Sequence, residues 1–244
     1  MATYHLHVSS GNKVSGKGAG GKARYLLREG PYATALEDMT PTRRFEELHG
    51  DDGFEPDEMD FEEFEDGATI RKVQIDKSAE LVYTESGNLP DWTGDDPLRF
   101  WDASDEYERA NGCTYREVEA ALPAELPLEK QIALAQAFAR EVATVEGGVT
   151  PYTLVIHQQD PAHPEHRHVH ILLSDRIQDG TDRLPERFFK RYNAKQPERG
   201  GARKTPERQD TKVGEKWTDR LRPLWEHLAN DALERDGIDA RIDH

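Results

Sequence analysis

The sequence predicts an α+β fold: an antiparallel sheet with flanking helices, arranged as a two-layer sandwich. Three observations predict it. Alternating or apolar runs with β-branched residues recur at 3–8, 115–122, 151–157 and 167–174, the signature of short strands. Amphipathic stretches lie between and after them, clearest at 128–145 and 215–235. The resulting order, β-α-β(β)-α-β-α-β-β-α, suits an antiparallel sheet packed against helices.

Residues 3–8 (Thr-Tyr-His-Leu-His-Val) predict the first strand, followed by a flexible Gly/Ser/Lys loop over 9–21. A helix is expected over 22–29, stopped by Gly30-Pro31. Residues 37–67 are acidic and aperiodic, an excursion from the core. Residues 69–75 and 79–83 are expected to form a hairpin, and 97–110 a helix with Phe100, Trp101 and Tyr107 on its apolar side. The alternating run 115–122 ends at Pro123 as a strand. Strands 151–157 and 167–174 are joined by a His/Pro-rich turn, and 180–213 is polar, basic and mostly irregular. In the last helix Leu221, Leu224, Trp225, Leu228 and Leu233 fall at helical spacing. No repeat and no domain boundary is evident over 1–244, which reads as a single domain with an acidic insertion around 37–67.

The 244 residues suffice for a substantial core. One cysteine excludes an internal disulfide framework and a cysteine-built zinc site. No run approaches the length of a membrane helix and no secretion signal is visible, so a soluble cytoplasmic protein is expected. The net charge of −16 argues at first against nucleic acid, but the charge is unevenly distributed. Residues 46–66 hold twelve acidic residues and no Lys or Arg, whereas 1–30 carries a net +4 and 183–222 a net +7.

His168-Val169-His170 places two imidazoles on one face of a strand. His157 ends the preceding strand, so pairing of the two strands brings a third imidazole near. Three neutral imidazoles on one face suit a divalent ion with open positions; a His-X-His alone equally suits histidines that only pack or hydrogen-bond. His163 lies in the turn and His166 continues the alternation; each suits a spare ligand or, more simply, a solvated residue. Glu117 and Glu119 share a strand face and suit a general base or a partner that orients a ligating histidine, or simply a solvent face. Tyr25 follows the Gly/Lys loop. A tyrosine becomes a covalent nucleophile when its phenol is deprotonated during attack, and Lys22, Arg24 and Arg28 would favour the phenolate and hold a phosphate. An ordinary half-buried helix aromatic is the plainer alternative.

Together these features resemble the relaxases of mobilisable plasmids, MobA/MobL type, within the HUH endonuclease superfamily. The resemblance runs in order along nearly the whole chain. It rests on Tyr4-His-Leu, Ala23-Arg-Tyr-Leu-Leu-Arg-Glu-Gly30, the Trp101 to Gly112 run (WDASDEYERANG), Arg116-Glu-Val-Glu-Ala-Ala-Leu-Pro123, Tyr152-Thr-Leu-Val-Ile-His157, His168-Val-His170, and Phe189-Lys-Arg-Tyr-Asn193 with Gly200-Gly-Ala-Arg-Lys204.

The resemblance implies a relaxase-like sandwich and metal-dependent nicking of one strand of a plasmid transfer origin. In that reading Tyr25 is the nucleophile, His157, His168 and His170 hold the metal, and Glu117 and Glu119 are the acidic pair. Manganese or magnesium is the expected ion, although imidazoles by themselves also suit zinc. Lys13, Lys17, Lys22, Lys190, Arg191, Arg203 and Lys204, with Arg24 and Arg28, are expected to line a groove for single-stranded origin DNA. Expected partners are relaxosome accessory proteins and a type IV coupling protein, in a bacterial cytoplasm. The alternatives are a rolling-circle replication initiator, a metal-dependent hydrolase without a covalent step, and an origin-binding accessory protein that does not cut.

Overall fold

The computed structural model describes residues 5–16, 18–39, 61–63, 69–94, 96–158, 162–208 and 216–243. It has two compact units, Met1–Leu27 with Glu80–His244, and Arg28–Ala79. In chain order the elements are β1 (Leu6–Asn12), α1 (Ala19–Leu27), β2 (Thr34–Met39), β3 (Phe61–Glu63), β4 (Thr69–Asp76), β5 (Leu81–Gly87), α2 (Pro97–Tyr107), β6 (Cys113–Ala121), α3 (Leu128–Ala143), β7 (Thr144–Val145), β8 (Gly148–Val149), β9 (Tyr152–Gln158), β10 (Arg167–Leu173), α4 (Pro185–Phe188) and α5 (Trp217–Arg235).

The first unit is built on a five-stranded antiparallel sheet of order β1-β6-β10-β9-β5. Strands β9 and β10 carry buried apolar residues on both faces, so both must be covered. On one face Val118, Ala120, Leu154, Ile156, Val169 and Ile171 meet Leu134, Phe138 and Val142 of α3 and Leu221, Trp225 and Leu233 of α5. The Phe138 and Trp225 rings lie 4.8 Å apart at the centre. Burying each such side chain is worth about 1.5–3 kcal/mol. On the other face Tyr115, Val155 and Leu172 meet Ala23 and Leu26 of α1, Phe100 and Trp101 of α2, and Phe188, Phe189 and Ala202. The expected antiparallel α+β sheet is thus present. α1 and α2 add a helical layer beyond the two expected.

The second unit holds a separate antiparallel sheet of order β2-β4-β3. The expected hairpin of 69–75 with 79–83 does not form. β4 pairs with β2 and β3, while β5 pairs with β9 across the main sheet. Both runs are good strands, but each finds its partner outside the hairpin. Of the acidic 37–67 stretch, residues 40–60 and 64–68 lie outside the described residues.

The expected loop over 9–21 is largely ordered structure. β1 runs on to Asn12 by pairing with β6, and α1 begins at Ala19. The cap that starts α1 comes from α2: Asp105 accepts the Ala19 and Gly20 amides at 2.7 and 2.8 Å. A carboxylate there also complements the positive end of the helix. Gly18 permits this approach, since a Cβ there would stand 2.6 Å from the Asp105 carboxylate, and Gly20 likewise admits Asp102, which a Cβ would meet at 2.2 Å. Sequence propensity alone reads glycine here as loop; the tertiary cap overrides it.

Candidate active site and metal centre

Register brings the polar residues to one face of the sheet. His168 stands opposite His157 on β9, and His170 opposite Glu119 on β6. Glu119 and Glu117 in turn oppose His7 and Ser9 on β1. Because opposed residues share a face, Ser9, Glu117, Glu119, His157, His168 and His170 lie on the α1–α2 side.

Glu117 is the centre of the polar contacts. Its Oε1 accepts from His170 Nδ1 at 3.1 Å and pairs with Lys22 Nζ at 2.8 Å, while Oε2 accepts from Ser9 Oγ at 2.9 Å. Burial pushes the carboxyl up, but hydrogen bonds from His170 and Lys22 and the Lys22 charge outweigh it and hold it at about 2. Glu117 is therefore an ionised acceptor and a weak base. Donation from His170 Nδ1–H to it leaves the lone pair on Nε2. That Nε2 is buried and without a hydrogen-bond partner, as expected of a ligand atom aimed at an ion.

His157 follows the same logic through another partner. Its Nε2 lies 2.7 Å from the Leu26 carbonyl, so Nε2–H donates and the lone pair of the neutral ring is on Nδ1. The carbonyl belongs to the last turn of α1, where acceptors lack intrahelical partners. The His157 and His170 rings are 5.0 Å apart. Burial pushes the His168 pKa down, against an opposing pull from Glu119, favouring the neutral, ligating form. Among the described residues Glu117, Glu119 and His170 offer ligand atoms within 4.8 Å of one another. The donor set of imidazoles and carboxylates, with an orphaned buried nitrogen, fits a divalent ion.

Tyr25 lies on α1 between these contacts: Lys22 engages Glu117 three residues before it, and Leu26 engages His157 one residue after it. It is 41% exposed, with Lys22 Nζ 5.2 Å from its ring centroid.

The basic candidates divide sharply. Lys22 is the Glu117 partner. Arg24 makes a bidentate pair with Asp102 at 2.6 and 2.7 Å. Lys13 Nζ donates to the Glu106 carbonyl and Arg203 to the Glu146 carbonyl. Lys204, mostly buried, reaches Glu108 at 3.1 Å and the Cys113 carbonyl. Arg28 is buried, with φ 54° just past α1. Lys190 and Arg191 are exposed, and Lys17 lies outside the described residues.

Two of the motif stretches prove to be architectural. Buried Arg176 uses all five donors, two on Glu108 Oε2 and three on the carbonyls of Phe189, Lys190 and Ala202. Gly201 lies against Lys190, where a Cβ would stand 2.0 Å from its carbonyl oxygen. The paired stretches 189–193 and 200–204 are therefore one interlocked piece. Glu108 likewise explains Gly112, whose Cβ would meet its side chain at 2.6 Å. Sequence reasoning missed Ser9, Asp102, Asp105 and His5, whose Nε2 lies 3.9 Å from Glu119. The alternation of His5 and His7 in the strand predicted over 3–8 was the available signal, and Ser9, read as loop, continues it because β1 runs on to Asn12.

A sheet with helices on both faces and a histidine–carboxylate cluster under α1 defines a class of protein, and residues 62–244 match the MobA/MobL family. The chain belongs to that family. It is 38% identical to mobilization protein A of Escherichia coli across the whole of this chain and 27% of that protein. It is 33% identical to the 43 kDa relaxation protein of Salmonella typhimurium, over 99% of this chain and 54% of the relative. The chain thus spans roughly a quarter to a half of these curated relatives. A chain from a structure described as the molecular basis of vancomycin resistance transfer in Staphylococcus aureus shares the fold. Its TM-score is 0.58 over 99% of this chain and 98% of that one, at 19% identity. Among the described residues no helix is long and apolar enough to cross a membrane.

Proposed function

We propose that this chain is the DNA-nicking part of a plasmid-mobilisation relaxase, working on one strand of a transfer origin in a bacterial cytoplasm. The observation that carries the reading is His170: hydrogen-bonded through Nδ1 to an ionised Glu117, it presents a buried, unpartnered Nε2 beside His157. His157, His168 and His170 would hold a divalent ion, manganese or magnesium, with zinc also compatible with the donors. When bound, such an ion supplies positive charge to a scissile phosphate.

In this reading the Tyr25 phenol oxygen attacks phosphorus. The new bond is Oη–P and the broken bond is P–O3′. The 3′-oxygen leaves and takes a proton, and the 5′-phosphate stays on Tyr25. One phosphodiester replaces another, so the step is reversible and needs no nucleotide. Glu119, the less buried of the two carboxylates, is the candidate acceptor of the phenol proton. Glu117, held as a weak base, positions His170. Lys190 and Arg191 are the exposed candidates for the strand's backbone; relaxosome accessory proteins and a coupling protein would be partners of the whole protein.

The test is incubation with labelled single-stranded origin DNA and manganese, read by denaturing gel and mass spectrometry. A 5′-phosphotyrosyl adduct at Tyr25 is expected, lost without metal and in Tyr25→Phe. Nicked DNA without adduct would make the protein a hydrolase. Binding without cleavage, across several metals, would make it an accessory factor.

A further inference from the structure

We infer that the turn leading into β10 carries a second cation site, formed by His163, Glu165 and His166, which takes a borderline divalent ion of the zinc class. None of the three belongs to the Glu117–Glu119–His170 group, and no role in nicking has been given to them.

The geometry carries the inference. His163 Nδ1 lies 3.3 Å from Glu165 Oε1, and His166 Nε2 lies 3.7 Å from the same carboxylate oxygen. One ligand atom from each residue lies within 4.8 Å of the others. Ligands at zinc's usual bond lengths in a tetrahedron stand roughly 3.3–3.5 Å apart, close to the two nitrogen-to-carboxylate distances already present. The two imidazoles are stacked, 4.9 Å apart at 20°.

The backbone holds the three in place. The His166 amide donates to the His163 carbonyl at 2.9 Å, closing a four-residue turn. Pro164 occupies its second position, where the fixed φ of proline is favourable. Fully buried Gln131 of α3 donates to the Glu165 carbonyl at 3.3 Å. The Glu165 backbone is thus anchored to the core, while the three side chains are about half exposed. Exposure leaves the remaining coordination positions open to water. Two imidazoles and one carboxylate favour zinc, nickel or copper over magnesium.

The experiment is equilibrium dialysis of the whole chain against zinc alone, with metal analysis, on wild type, H163Q/H166Q, E165Q and H170Q. The H163Q/H166Q variant is expected to lose one zinc equivalent and still to nick origin DNA with manganese. E165Q is expected to weaken that equivalent at least tenfold. H170Q is expected to keep the turn's zinc whatever becomes of the central site, which separates this inference from the proposed nicking chemistry. An unchanged zinc count in H163Q/H166Q would show an ordinary solvated His–Glu–His contact and overturn the inference. Loss of nicking along with the zinc would assign these residues to the central site and overturn it equally.

Discussion

Replacing Glu117 tests whether the carboxylate works by charge, by hydrogen bonding or not at all. Its oxygens take His170 at 3.1 Å, Lys22 at 2.8 Å and Ser9 at 2.9 Å. A glutamine has the same shape, keeps a carbonyl oxygen for His170, and offers an NH2 to Ser9, whose hydroxyl can turn and accept. Glu117→Gln therefore removes the charge and little else. Glu117→Ala also removes the acceptor, freeing the His170 ring to change tautomer and rotate. Loss of such an outer partner costs about 10–100-fold in metal affinity, or about 1.4–2.7 kcal/mol. The glutamine is expected near the lower end and the alanine at or beyond the upper. Calorimetric titration of manganese into metal-free protein at neutral pH measures both, with thermal melting to verify folding. If a folded Glu117→Ala protein bound manganese within about twofold of wild type, orientation of His170 by Glu117 would be refuted.

Three further outcomes follow from named contacts. Lys190→Ala with Arg191→Ala is expected to weaken single-stranded DNA binding without changing sequence preference, and to reduce the salt slope by about 1.4, two phosphates at 0.7 each; a loss confined to one sequence would contradict backbone contact. Glu108→Ala leaves Arg176 and Lys204 without their shared carboxylate and is expected to destabilise by about 3–5 kcal/mol in urea titration. For pH, burial pushes Glu85 up, but hydrogen bonds from Gln136, Tyr152 and Tyr83 outweigh it and hold the carboxyl below 4.5. Its contribution is then present above that ordinary value and lost as pH falls through the lowered folded one. Glu85→Gln should flatten the acid limb of the stability curve, and an unchanged limb would count against the assignment.

The placement of the histidines was more legible in the sequence than the packing around them. Period-two spacing put His168 and His170 on one face, and strand pairing brought His157 opposite His168 as expected. Charge was legible as sector totals but not as exposure. The basic sector 183–222 promised a groove, yet within it Arg183 and Arg208 are buried, with Asp179 and with main-chain carbonyls as partners. A sequence does not say whether an arginine meets solvent or a carbonyl. Gly20 falls in the loop expected over 9–21, whereas it marks close approach of another segment, as Gly201 does against Lys190. The 69–83 hairpin failed because strand propensity carries no information about a competing partner far along the chain.

The anchoring of α1 has a thermodynamic corollary. The helix is held at its N-terminus by Asp105, along its side by Asp102 and Glu117, and at its C-terminal carbonyl by His157. Two of those four anchors, Glu117 and His157, belong to the histidine–carboxylate cluster. Occupancy of that cluster and the pose of the Tyr25 helix therefore share one free-energy surface, and linkage runs both ways. A factor by which a cation favours this pose is the factor by which the pose favours the cation. On the function proposed above, a DNA strand that pulled α1 away would loosen a bound ion, and one that settled against α1 as it stands would tighten it.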